Sequence, residues 1–421
     1  MRHVVLVDAY APARGLAPAF REAGHDCVRV QSTAEVPRAY RGSLDLEAYA
    51  ANIVHRGDLA ETARLLSAYE PVAVLAGGEL GVELADALSE ELGLPSNGTE
   101  LSRARRDKFE MIECVAAHGL RTARQLLVTD AEELREWHRQ VGGRIVVKPL
   151  RSTASDGVSF CETPEQAVAA YEAILGREDV FSHRNEGAVA QEYLVGAEYM
   201  VNTVSRSGRH HVTDVWGSGR ISLNGVTDLL VESTLVDSSS HLLEPLSRYA
   251  FGVLEALGIR YGPAHLELKL SPSGPCLVEA GARIAGGELP YYTRSAVGES
   301  QLDWTVDCYV RPERFDARCG EPYRIRQHFG WAAMASPHTG TIHRYRGIEA
   351  IRALESFQGM RQFVAPGEQI TKTVDDTTFP LTVTLQHLSE GVVHRDLNTI
   401  RYLDGHGFYE LEGTDARRAS Q

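Results

Sequence analysis

Polar and apolar positions change their period three times along this chain. Over the first hundred residues, short β-branched runs alternate with stretches of helical spacing. "HVVLVD" and "CVRV" read as strands, and "LAPAFREAG" between them as a helix ending at Gly24. "PVAVLAGG" is an apolar strand running into the helix "ELGVELADALSEELG". Strands alternating with helices predict a parallel sheet with covering helices. The turn "DAYAPARG" lacks the glycine pattern that admits a pyrophosphate. The sheet is therefore expected to be nucleotide-fold-like, with no sign that it holds a dinucleotide.

A second pattern begins near Arg103. "RARRDKFEMIECVAAHG" reads as a helix, "RQLLVT" as a strand and "DAEELREWHRQVG" as a helix with Asp130 as N-cap and Glu133 completing a capping box. "RIVVKPL" and "GVSFCE" follow as strands. In "TPEQAVAAYEAILG", Thr163 caps, Pro164 takes the first helical position and Gln166 completes the box. Strands then dominate in "AVAQEYL", "AEYMVNTVS", "HHVTDVW", "AHLELKL" and "PCLVEA", interrupted by the helix "HLLEPLSRYAFGVLEALG". The remainder mixes short strands with a helix at "GIEAIRALES". Four domains are expected: a Rossmann-like parallel sheet over 1–102, a small α+β lid over 103–186, a larger antiparallel sheet over 187–302 and an α+β unit over 303–421.

Composition narrows the class. A length of 421 residues suits two to four domains. The net charge of -14 argues against nucleic acid as a partner. Six cysteines occur singly, which suits reduced thiols. No apolar run approaches the ~20 residues that span a bilayer, and the start "MRHVVLVDAY" is too short for a signal peptide. No membrane partner and a cytoplasmic location are expected.

Candidate chemistry gathers in "AHLELKLSPSGPCLVEAGAR". If "SPSGP" is a hairpin turn centred on Ser273, Glu267 and Glu279 face each other across the strands. Two adjacent carboxylates repel unless a cation or proton lies between them, and oxygen-only ligands suit Mg²⁺. A solvated acidic edge is the plainer alternative. Lys148 ends an apolar strand, and the loop after it carries Ser152, Thr153, Ser155 and Gly157, whose hydroxyls and backbone N–H groups could cradle a phosphate. Lys108, early on its helix, could serve a phosphate too, or be an ordinary exposed lysine. "QEYLVGAEYMV" reads as a strand–turn–strand that could meet an adenine edge, with one of Glu192 and Glu198 on ribose hydroxyls, or as an ordinary hairpin. Arg283, four residues after Glu279, could pair the acids or stabilise charge developing on a substrate. Glycines 281, 286 and 287 leave room for a ligand near the backbone.

In this order, the pieces resemble the ATP-grasp superfamily over essentially the whole chain. "RDKFEMIECVAAHGL", "GPAHLELKL", "EAGARIAGG" and "SPHTGTIHRYRGIEAI" are most similar to the L-amino acid ligases, which make dipeptides. The resemblance implies that Lys108 and Lys148 hold ATP phosphates beneath the 152–157 flap. It implies that Gln191, Glu192, Tyr193 and Leu194 form the adenine hinge, with Glu198 on ribose. Glu267 and Glu279 would hold Mg²⁺ or Mn²⁺, and Arg283 would steady an acyl phosphate. Glu232 would meet a substrate amino group, beside Gly286 and Gly287. Two departures stand out: the flap "RSTASDG" is poor in glycine, and an asparagine common as third metal ligand is Gly281.

The implied reaction joins the carboxylate of one amino acid to the amine of another, releasing ADP and phosphate. The alternatives are a ligase for a non-amino-acid carboxylate and a decayed nucleotide-binding protein. A homodimer is the default assembly.

Overall fold

The N-terminal alternation forms a four-stranded parallel sheet in a computed structural model that describes residues 2–153, 156–404 and 407–413. Its order is β3 (Ala51–Val54), β2 (Asp26–Gln31), β1 (His3–Val7), β4 (Pro71–Ala76). Side chains alternate between the faces. Val4 and Leu6 pack with Leu16 and Phe20 of helix α1 (Leu16–Glu22). Val5 and Val7 pack with Leu66 of α2 (Leu59–Ser67) and Leu88 of α3 (Val82–Glu91). All of these are fully buried, each worth roughly 1.5–3 kcal/mol. Sequence patterning leaves β3 and α2 unseen, because "ANIV" is short and only partly buried.

The helix expected from Arg103 starts later. α4 (Lys108–Ala117) begins after turns through Arg106, because the Asp107 carboxylate accepts from the backbone N–H groups of Phe109 and Glu110. The lid is a second four-stranded sheet, ordered β5 (Gln125–Val128), β8 (Ala188–Glu192), β6 (Ile145–Pro149), β7 (Ser159–Cys161). Helices α5 (Ala131–Val141) and α6 (Pro164–Ile174) cover it through Leu134, Ala167 and Ile174. Asp130 caps α5 through Glu132 and Glu133, and Thr163 caps α6 through Gln166. The Gln166 side chain reaches back to the N–H of Glu162, not to that of the cap residue.

Two compact units divide the chain. The first holds Met1–Val215, Ser238–Arg294 and Glu299–Tyr323, and the second Trp216–Asp237, Ser295–Gly298 and Arg324–Gln421. The boundary crosses β10 (Arg209–Leu223), which follows β9 (Ala197–Arg206) and precedes β11 (Val226–Leu235). In the first unit β9 lies between β10 and β12 (Gly262–Ser271), and β12 pairs with β13 (Gly274–Gly281). In the second, β11 pairs with His328–Met334, that strand with Leu381–His387, and the latter with Phe357–Gln362. Helix Glu390–Asp404 buries Val393, Leu397 and Ile400 in the core of this unit. The helix read at "GIEAIRALES" is confined to Ile348–Arg352.

The segment read as a strand–turn–strand is not a hairpin. β8 belongs to the lid sheet and β9 pairs with β12, so residues 193–196 pass from one sheet to another. The crossing is tight at Gly196, where a Cβ would lie 2.4 Å from the Leu270 carbonyl oxygen. All six cysteines are free thiols. Among the described residues no helix is long and apolar enough to cross a membrane.

Candidate active site

The acidic pair is set by an irregular hairpin. At the turn, Ser271 faces Gly274 and Leu268 faces Leu277, so the turn is not centred on Ser273 as expected. A regular ladder continued from there would set Glu267 opposite Val278 and turn Glu279 to the other face. A bulge between Glu267 and Leu268 leaves Val278 out of the ladder and brings Glu279 opposite Glu267. The expected pairing holds, by a different route.

The bulge also makes a bond. The carbonyl oxygen of Val278 accepts from Lys148 Nζ at 3.3 Å. Lys148 is the penultimate residue of β6 and is almost completely buried. Burial pushes its ammonium down to about 8; Glu279 and Glu267 oppose that shift and the nearby Lys108 adds to it. Lys108 opens α4, and its Nζ lies 3.0 Å from Glu279 Oε1 and 2.7 Å from the Ser152 carbonyl oxygen. Two lysines and two acids thus meet where β6, α4 and the bulged hairpin converge, with both carboxylates still partly accessible.

The flap is held by an acid that the sequence reading passed over. Asp156 Oδ2 accepts from Ser152 Oγ at 2.9 Å and from the N–H of Val180 at 3.2 Å. The Ser152 hydroxyl is thus hydrogen-bonded within the loop. Thr153 gives its carbonyl oxygen to the N–H of Asp156. Ser155 lies outside the described residues.

Along the crossing segment, Gln191 Nε2 donates to Gln125 Oε1 at 3.0 Å. Glu192 takes the backbone N–H and the Nε of Arg124, at 3.0 and 2.8 Å. The Arg144 guanidinium lies over the Tyr193 ring, and Leu194 is half-buried. Glu198 is buried and paired with Lys269, Oε2 to Nζ 3.1 Å. Register places Glu198 beside Lys269 and Met200 beside Glu267, so Glu198 shares the sheet face of the acidic pair.

Arg283 has a partner from the opposite end of the unit's sequence. Its Nε donates to Glu79 Oε2 at 3.0 Å, and Arg106 donates to Glu79 Oε1 at 2.7 Å. Glu79 follows β4 and is buried. Burial alone would raise its pKa, but Arg106, Arg283 and Lys108 together bring it below the usual carboxylate value. Gly281 lies directly under this pair: a Cβ there would sit 3.0 Å from Glu79 Oε2 and 3.2 Å from Arg283 Cζ. The glycine that replaces an expected metal ligand thus gives space to an arginine–glutamate pair. Glu79 escaped the sequence reading because nothing near it marks a site except Gly77-Gly78 after a strand end. Gly286 and Gly287 face open space. Glu232 lies in the second unit on β11, between Gly219 and Ala332, and burial raises its pKa against the pull of Arg401 and His394.

Among the described residues, no three His, Cys, Asp or Glu side chains are already gathered around a metal position. Two carboxylates on one face suffice for Mg²⁺ when nucleotide oxygens and water complete its shell, so the donor set fits a nucleotide-bound cation.

A small lid sheet, a larger antiparallel sheet and basic and acidic side chains between them define a nucleotide-binding ligase scaffold, and the comparisons agree. The ATP-grasp domain model matches residues 141–290. Dapdiamide A synthase of Enterobacter agglomerans is 30% identical over 417 residues, covering 97% of each chain. The chain belongs to the ATP-grasp family and is an ATP-dependent ligase. Alanine–anticapsin ligase of Bacillus subtilis (strain 168) is 23% identical over 61% of this chain and 60% of its own. The crystal structure of the L-amino acid ligase from Bacillus licheniformis shares the fold, with a TM-score of 0.73 at 17% identity over 96% of this chain and 97% of that one.

Proposed function

We propose that this ligase forms an amide between the carboxylate of one amino acid and the amine of a second. The acidic pair Glu267 and Glu279, aligned by the Val278 bulge beside Lys108 and Lys148, carries this reading. Phosphoryl transfer needs alignment and charge neutralisation rather than covalent help, and these four residues supply both. Glu267 and Glu279 would hold Mg²⁺, which neutralises the terminal phosphates when bound. Lys108 and Lys148 bind the phosphates, the 191–194 segment takes adenine and Glu198 the ribose. The substrate carboxylate oxygen attacks the γ-phosphorus and ADP leaves. The amine nitrogen then attacks the acyl carbon and loses a proton, and phosphate departs while Arg283 stabilises the oxyanion.

Arg283 reaches this step with its guanidinium already oriented by Glu79, which favours a fixed oxyanion contact. The relatives' names support small carboxylate and amine substrates. Glu232 would meet a substrate amino group. The four-domain division, a cytoplasmic location and a homodimer complete the reading.

The test is a matrix of amino acid pairs scored for phosphate release, with products identified by mass. ADP should form in step with amide, and hydroxylamine in place of the amine should trap a hydroxamate that depends on the first acid alone. AMP accumulating with the amide would overturn the mechanism.

A further inference from the structure

The polar face around Glu267 continues one rung along the sheet, to a histidine with no part in the steps above. His265 precedes Glu267 by two residues on β12, so both side chains leave the same face. Its cross-strand neighbours are Gly281 on β13 and Asn202 on β9. Its Nδ1 lies 2.7 Å from Asn202 Oδ1. Asn202 Nδ2 donates to Asp214 Oδ1 at 2.5 Å, and Thr213 Oγ1 donates to Asp214 Oδ2 at 2.9 Å. A carboxylate only accepts, so Asn202 turns its NH₂ to Asp214 and its carbonyl oxygen to the ring. An oxygen facing Nδ1 calls for a proton there, and in the neutral ring that leaves the lone pair on Nε2. His265, Asn202 and Asp214 are all buried, so this orientation is fixed by packing as well as by bonds.

Nε2 faces Glu267, 3.6 Å from Oε1. That is too long for a hydrogen bond. Two donors bound to one cation at about 2.1 Å each, roughly 90–120° apart, stand about 3.0–3.6 Å from each other. Across the strand, Gly281 offers no donor. A buried carboxylate and amide behind an imidazole is the support that metal-binding histidines need.

We propose that His265 Nε2 and Glu267 bind the same cation, with the imidazole supplying the donor that position 281 lacks. Glu279 joins them by turning from Lys108. A nitrogen donor suits a transition-metal ion better than Mg²⁺, and the two carboxylates suit Mn²⁺ among them, so the site favours Mn²⁺ over Mg²⁺. This rests on the reading of Glu267 and Glu279 as cation ligands.

The experiment uses the full chain with ¹⁵N-labelled histidine, Mn²⁺ and β,γ-methylene ATP, read by pulsed electron paramagnetic resonance. The wild type should show the hyperfine coupling of a directly bound ¹⁵N. His265→Gln should lose the coupling, and its Mn²⁺ affinity should fall about tenfold or more, with a smaller change for Mg²⁺. Mn²⁺ bound to the wild type without ¹⁵N coupling overturns the proposal and leaves the carboxylate site standing. No Mn²⁺ bound in the presence of the nucleotide overturns both. The wild-type spectrum decides even where the variant fails to fold.

Discussion

Glu267 stands opposite Glu279 because Val278, between Leu277 and Glu279, is left out of the ladder. One extra residue therefore fixes the acidic pair and, through its carbonyl, the buried Lys148. Glu279→Gln keeps the shape and the Lys108 contact but removes a charge from the cation. Its kcat/KM should fall by about 100-fold or more, with an unchanged circular dichroism spectrum. Turnover within a few-fold of wild type would remove the cation role.

Lys148 should show a conflict between stability and activity. Its folded pKa is about 8, below the ordinary lysine value, so between those two pH values the unfolded chain holds the extra proton. Stability from this group therefore rises as pH increases from about 8 to about 10.5. Lys148→Met should gain roughly 1 kcal/mol or more at pH 7 while losing ATP binding. Urea melts at pH 7 and pH 10 should show the variant's advantage shrinking; an advantage that stays constant would contradict the burial cause.

Glu79 should matter twice. Glu79→Ala leaves the buried Arg106 and the partly buried Arg283 without their shared carboxylate, which should cost about 3 kcal/mol or more. Glu79→Gln retains hydrogen bonding and should fold, yet lower kcat more than it raises the KM for ATP. Since the folded carboxylate titrates below its usual value, its contribution is complete above the unfolded pKa and lost as pH falls through the folded one. Acid denaturation of Glu79→Gln should accordingly be shallower than that of the wild type.

Gly281→Asn should not repair the site. The new Cβ would crowd Glu79 and the Arg283 guanidinium, so the expected result is a drop in kcat of about tenfold. Pre-steady-state trapping with hydroxylamine would place the loss at the acyl transfer step. A rise in activity would show that the arginine pair can yield.

The sequence exposed the ends of strands and hid what lies between elements. Lys148 was legible because a lysine closes an apolar run, and the Glu267–Glu279 pair was legible only because the bulge offsets a turn centred half a residue earlier than "SPSGP" suggests. The bulge was not, since nothing in "CLVEAG" separates a regular strand from one carrying an extra residue. Glu192 to Glu198 read as a hairpin because four residues turn a chain alike whether the strands pair or part. The start of α4 was misplaced because arginines favour a helix as much as the residues after Asp107 do; the capping aspartate was the available signal. Glu79 and His265 act through neighbours distant in sequence, and only the fold brings those neighbours near.

The contact at Gly196 has a mechanical consequence. The strand leaving the lid sheet is pressed against the Leu270 carbonyl, with no side chain to cushion it, while Val195 just before it is largely exposed. A rotation of the lid would be anchored at the glycine and taken up by the three residues ahead of it. Lys148, on the same small sheet, would swing on that lever away from the Val278 carbonyl.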